Sequence, residues 1–252
     1  MIPQTTPHAN PPTFDVFSTV PGRPRLFTAE GRTLKEAVQS ALQRGWDLST
    51  ADLRKADLSG LSLRNVTLRG VNLTGANLDD TDLTGANLDA ATLQNASLRR
   101  TTFRFTRLEY AVLIDTDLEG ATFHFPVLND TLFSHNRFAG ADLKHLTHLP
   151  VPVVPGLHRK VADAVSDTAL LDMDHWHCGS AHCWAGWIVT LAGADGQALE
   201  AAVGTSLAAT LIVLASDPEQ EHAGRTPDFL QDKHLALADI HRLAGRTPGA
   251  AL

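Results

Sequence analysis

The sequence predicts an all-β solenoid carrying a small cap in front and a helical domain behind, and three observations lead there. From Trp46 to His145 a Leu or Phe stands at every fifth position, from Leu48 and Leu53 through Leu78, Leu83 and Leu88 to Phe138 and Leu143. Two residues before most of them lies a small side chain, as at Ala51, Ala56, Val71, Ala76, Thr81, Ala86 and Ala91. The period also excludes the ordinary elements. Five residues turn an α-helix by about 500°, so no apolar stripe forms. In a plain strand an odd period sends successive Leu residues to opposite faces. A short extended side followed by a turn satisfies the pattern: the small residue and the Leu point inward, and the other three point out. A fixed short period is the mark of a repeat architecture.

The units Ala76-Asn77-Leu78-Asp79-Asp80, Thr81-Asp82-Leu83-Thr84-Gly85 and Ala86-Asn87-Leu88-Asp89-Ala90 resemble the pentapeptide-repeat family. That resemblance implies a right-handed quadrilateral β-helix over residues 46–145, with four units per turn and about five turns. At ~4.8 Å between strands it would stand roughly 24 Å tall. Residues twenty apart would then stack, placing Phe103 on Phe123, with Phe133 and Phe138 thickening the last full turn. Leu78, Leu83, Leu88 and these four Phe residues are the expected core. Trp46, Pro126 and Asn136 depart from the small-residue rule; Trp46 suits an end cap, and the other two suggest looser winding late in the tract.

Residues 1–45 read as the N-terminal cap. A hairpin is expected from Thr13 to Thr19 and from Arg25 to Thr28, turning near Pro21-Gly22. Thr33 and Glu36 then form a capping box in which each satisfies the other's backbone donor. Leu34, Ala37, Val38, Ala41 and Leu42 give the following helix one apolar face. Residues 146–252 open with Pro150, Pro152 and Pro155 and continue as a helical domain, with helices expected near 157–166, 180–193, 197–203, 206–216 and 232–244. Gly193, Gly204 and Gly245 stand at the expected stops.

Chemistry, if present, belongs to the segment Asp172–Trp187. His177, Cys178, His182 and Cys183 are of zinc-ligand type, but ligands adjacent in sequence diverge, so the spacing departs from the usual two-plus-two arrangement. Cys183 in a first helical turn after Ser180 could be a nucleophile, and a Cys178–Cys183 disulfide is a further alternative. The plain reading makes the cluster a packed helix start with no metal or cofactor, and the chain a non-enzyme.

Composition bounds the rest. Net charge of −7 opposes nonspecific nucleic-acid or membrane binding, so neither membrane nor direct nucleic acid is expected as a partner. Two cysteines are no disulfide framework. No apolar run is long enough for a membrane span and no secretory signal is evident, so a cytoplasmic setting in a bacterial host is expected. The leader, Leu171-Asp172-Met173, Trp176-His177, His182-Cys183 and Ala185-Gly186-Trp187 also resemble members of the family encoded by phages and prophages. That likeness implies a non-catalytic scaffold or virion decoration, partnered by capsid or tail proteins or by a second copy. Binding of a type II topoisomerase as a DNA mimic is the alternative, and a small Cys/His enzyme carried on the repeat is another. Thirteen acids against ten bases in the tract fall short of the roughly fourteen phosphates that ~24 Å of duplex presents.

Overall fold

The computed structural model describes residues 12–22, 25–165, 171, 177–178, 181–182, 184–217, 225–231 and 233–245. Strands β1 (Thr13–Phe17) and β2 (Arg25–Glu30) pair antiparallel, Thr13 facing Glu30. Helix α1 (Leu34–Gln43) follows, burying Ala37, Val38 and Ala41. Thr33 Oγ1 accepts from Glu36 N at 3.2 Å. The Glu36 carboxylate reaches past Thr33 to Arg32 N at 2.7 Å, so the return arm of the expected capping box is shifted by one residue. The tail of β1 lies on the start of the tract: Thr19 N donates to Thr50 O and Asp52 N to Phe17 O, both at 2.8 Å.

Through the tract the chain pairs with itself at a spacing of twenty residues. Parallel bridges join Asp52 to Asn72, Asn72 to Thr92 and Thr92 to Val112, and likewise Asn77 to Ser97 and Ser97 to Asp117. Only late in the tract do short strands appear: β3 (Thr102–Arg104), β4 (Val112–Ile114), β5 (Thr122–His124), β6 (Leu132–Ser134) and β7 (Asp142–His145). They form a three-stranded sheet in the order β3-β5-β7 and a two-stranded sheet β4-β6. Phe103 stands beside Phe123, and the rings stack at 4.7 Å and 4°. The last pairing slips: Thr122 faces Asp142, but His124 faces His145.

Beyond the tract lie α2 (Leu157–Ala164), the two-residue strands β8 (His177–Cys178) and β9 (Ala181–His182), and then α3 (Trp184–Leu191), α4 (Gly193–Val203), α5 (Thr205–Ser216) and α6 (Lys233–Leu243). Gly193, expected as a stop, instead opens α4. Gly204, at φ +81°, breaks the chain between α4 and α5, a conformation that glycine adopts without steric cost. No described helix is long and apolar enough to cross a membrane.

The fold class expected from the repeat is thereby corrected. The described residues form a mixed α/β fold of small, discontinuous sheets and six separate helices, not a continuous all-β right-handed β-helix, and the term solenoid goes with it. The reason is local. Each pentapeptide spends two of its residues in a turn, so an extended side holds a single bridge or a three-residue strand. The helices, meanwhile, bury much of the core, Ile188, Leu199, Leu207 and Ile212 among it.

Inside the tract Leu78, Leu83, Leu88, Phe103, Phe123, Phe133 and Phe138 are all buried. Threonine at the small position brings a hydroxyl inward, and it always finds a partner. Thr101 Oγ1 donates to Leu78 O at 2.7 Å, Thr106 to Leu83 O at 2.8 Å and Thr131 to Leu108 O at 2.7 Å. Asn136 follows the same rule, its Nδ2 donating to Leu113 O at 2.6 Å.

Candidate protein-interaction surface

The second residue of each unit sets the outward geometry. Asp or Asn there turns its side-chain oxygen onto the backbone N–H two residues on, as Asp47 does to Ser49, Asn72 to Thr74, Asn77 to Asp79 and Asp82 to Thr84. These Asx turns hold each corner. The fifth residue then takes a positive φ, as at Asn65, Asp80, Ala90, Arg100, Phe105, Tyr110 and Phe125. For a side chain other than glycine this costs about 1–2 kcal/mol.

Charges on the outer faces pair across neighbouring turns. Arg100 holds Asp80 at 2.7 Å, Arg64 holds Asp82 at 2.8 Å, and Arg107 holds both Asp89 and Glu109. Glu119 takes Arg99 at 3.1 Å and Arg137 at 3.0 Å. The Arg54 guanidinium beside Asp52 holds that carboxyl below the usual range, and the hydrogen bond from Arg100 does the same for Asp80. Asp57 is lowered first by its bond from Ser59. At Asp82 burial alone pushes upward, and Thr84 and Arg64 together outweigh it.

A depressed carboxyl pKa contributes stability that is present above the unfolded value and is lost as pH falls through the folded one. The melting temperature is therefore expected to hold from neutrality down to about pH 5 and to drop progressively below about pH 4. Thermal melts between pH 7 and pH 2 test this, and an unchanged midpoint at pH 2.5 would refute it.

Asp89 departs from the expectation that an outward acid is dispensable. Only 7% exposed, it accepts from Glu109 N at 3.1 Å and from Arg107 at 2.9 Å. The sequence suggests that Asp89→Lys costs about 0.5 kcal/mol or less; the structure raises this to about 2 kcal/mol. Urea titration of that variant distinguishes the two values.

The C-terminal helices meet the tract through its last turn. Ser206 Oγ, near the start of α5, accepts from Phe133 N at 3.1 Å and donates to Thr131 O at 3.3 Å. The segment 225–229 lies along residues 134–136. Thr226 N donates to Asn136 O at 2.7 Å, His135 N to Pro227 O at 3.1 Å, and Phe229 N to Ser134 Oγ at 2.9 Å. Backbone groups that a further turn would have paired are thus satisfied by a different part of the chain.

The expected zinc-type cluster lies largely outside the described residues. The backbones of His177 and His182 pair in the β8-β9 ribbon, Cys183 lies outside the described residues, and the described ones hold no cluster of three or more metal-ligating side chains. A cleft of about 550 Å³ opens where α2 begins, lined by Gly156, His158, Ser216, Asp217 and Leu243. His158 Nε2 lies 3.2 Å from Asp217 Oδ2, and burial lowers its pKa against the pull of that carboxylate. Ser216 Oγ is occupied by Val154 N at 2.8 Å, and no bond links it to His158 among the described residues.

Sequence reasoning missed Phe105, Tyr110 and Phe125. These rings stand at the fifth position of their units, 51%, 65% and 41% exposed. A bulky aromatic where most units carry Gly, Asn or Asp was the available signal.

Twenty-residue pairing, an interior of Leu and Phe and Asx-held corners define a class of repeat protein. Residues 47–85 and 86–124 match the family model for pentapeptide repeats. Among solved structures the chain is similar to a pentapeptide repeat protein from the thylakoid lumen of Arabidopsis thaliana, at 24% identity over 49% of this chain and 79% of that one, with a TM-score of 0.35. It is also similar to HetL from a Nostoc cyanobacterium, a protein involved in heterocyst differentiation regulation, at 25% identity over 40% and 56% of the two chains and a TM-score of 0.33. A variant of QnrB1, a plasmid-mediated fluoroquinolone resistance protein, matches at 19% identity over 36% and 49%, with a TM-score of 0.20. The chain spans about half the length of the last two. No curated protein matches it. The expectation of a phage protein or virion component is withdrawn: the similar structures named above are described as plant, cyanobacterial and plasmid-mediated, not as phage or particle proteins.

Proposed function

We propose that the protein is a non-catalytic interaction protein that binds a protein partner on the outer faces of its repeat tract. One observation carries this reading. The interior is filled by Leu and Phe, while the exterior is held in place by Asx turns and cross-turn ion pairs, such as Arg100 on Asp80. A preformed surface loses little entropy on binding. Crosslinking and mass spectrometry of the full chain in its native cells should recover a protein attached to residues 50–140. Turnover of any substrate that is abolished by His158→Ala would overturn the non-catalytic reading.

Binding of a type II topoisomerase in place of DNA is the narrower reading that remains from the sequence. Charge pairing shapes what such a partner would meet, because Asp52, Asp80, Asp82, Asp89, Glu109 and Glu119 each hold an arginine. The face is mixed in sign where a duplex is uniformly negative. Gyrase supercoiling with added protein decides: salt-sensitive inhibition at submicromolar protein supports this partner, and undiminished supercoiling removes it.

A further inference from the structure

Within the interaction reading, on which it rests, we infer that the corner carrying Phe105 and Phe125 is a docking ledge for an acidic peptide segment bearing an aromatic residue. The rings of Phe105 and Phe125 stack at 6.0 Å and 14° on the outside of the tract. They run parallel to the fully buried stack of Phe103 on Phe123. The outer stack continues onto imidazoles, His148 lying 5.4 Å and His145 5.3 Å from Phe125, with His124 4.5 Å from His145. An aromatic surface several rings long is thus exposed to solvent.

Packing does not account for it. Both Phe residues hold a left-handed backbone, at φ +53° and +51°, and both are substantially exposed. The same corner is Gly85 one turn earlier, at φ +69°, so the fold accommodates a residue with no side chain there. The left-handed backbone is common to the fifth position of the units, so what sets this corner apart is the exposed, stacked pair of rings.

Charge names the occupant. Arg54, Arg64, Arg99, Arg100, Arg107 and Arg137 each hold a carboxylate. The Arg104 guanidinium instead lies 5.2 Å over the Phe105 ring and has no carboxylate partner among the described residues. Of the acids on this face, Asp82 is taken by Arg64, and Asp142 is also engaged. A carboxylate of the partner would complete the Arg104 pair as its ring packs on the phenylalanines. A single strand of nucleic acid could use the same stack, but the chain's net charge of −7 disfavours a polyanion many residues long.

The test is selection of a displayed random dodecapeptide library on the full-length protein, with fluorescence anisotropy of the peptides recovered. Enriched peptides should combine Asp or Glu with Trp, Tyr or Phe. Phe105→Gly with Phe125→Gly, and separately Arg104→Ala, should each weaken their binding by roughly tenfold or more. The glycine variants relieve the left-handed strain, so their melting temperature should not fall, and lost binding cannot come from unfolding. Peptides that bind the Phe105→Gly, Phe125→Gly variant equally well would overturn the ledge while leaving the interaction reading intact. Failure of any peptide to enrich would overturn it too, as would tighter binding of a labelled oligothymidylate than of the best peptide.

Discussion

Leu88→Asp is expected to abolish cooperative folding of the repeat tract. Leu88 is fully buried, and its backbone is fixed on both sides, with Leu88 N donating to Arg107 O at 2.8 Å and Ala91 N to Leu88 O at 3.0 Å. A carboxylate forced into that position meets only hydrocarbon and backbone groups already spent on one another. The cost is about 4 kcal/mol or more, most of the stability of an ordinary domain. Asp130→Lys is the matching control. Asp130 is exposed, so this change should stay within about 0.5 kcal/mol. Circular dichroism melts of the two variants make the comparison, and similar midpoints would mean that the inside and outside of the repeat are assigned wrongly.

Asn136→Asp should be nearly as damaging, although it exchanges a single atom group. Asn136 is fully buried. Its Nδ2 donates to Leu113 O and also contacts the Thr116 hydroxyl, while its backbone N–H is taken by Thr226 Oγ1 at 2.9 Å. Aspartate replaces the donor with a charged acceptor facing a carbonyl, a change worth about 3 kcal/mol or more. Because Asn136 also anchors the segment 225–229, amide exchange should quicken at Thr226 and His135 before the tract itself opens. Exchange rates unchanged at those two amides would refute the coupling.

How much of this was legible in the sequence differs from element to element. The fifth-residue Leu identified the buried side chains, because periodicity reports which residues share a face. Continuity of the sheet was not legible. Whether Asp52 and Asn72 make one bridge or part of a long strand depends on how many residues each corner takes from the extended side, which a five-residue period does not state. Partners distant in sequence were equally hidden. Nothing in Arg225-Thr226-Pro227 announces that it lies along residues 134–136, since that contact is chosen by an open edge elsewhere in the chain. The near burial of Asp89 was missed because its position reads as outward, and its neighbours Arg107 and Glu109 lie eighteen and twenty residues away. The exposed rings of Phe105 and Phe125 were in plain view but were counted with the ordinary polar outside.

Pairing at a spacing of twenty sets a rule for how such a gene can change length. Inserting or deleting twenty residues within the tract would leave every column opposite its former partner type and return both ends in the same orientation. A change of five would keep the interior apolar, so the variant should still fold. It would nonetheless break the spacing of twenty across the site of the change, parting Arg100 from Asp80 if made between those two, or Phe105 from Phe125 if made between them. Lineages descended from this chain should therefore tolerate five-residue indels in their cores while losing whatever depends on two outer faces at once.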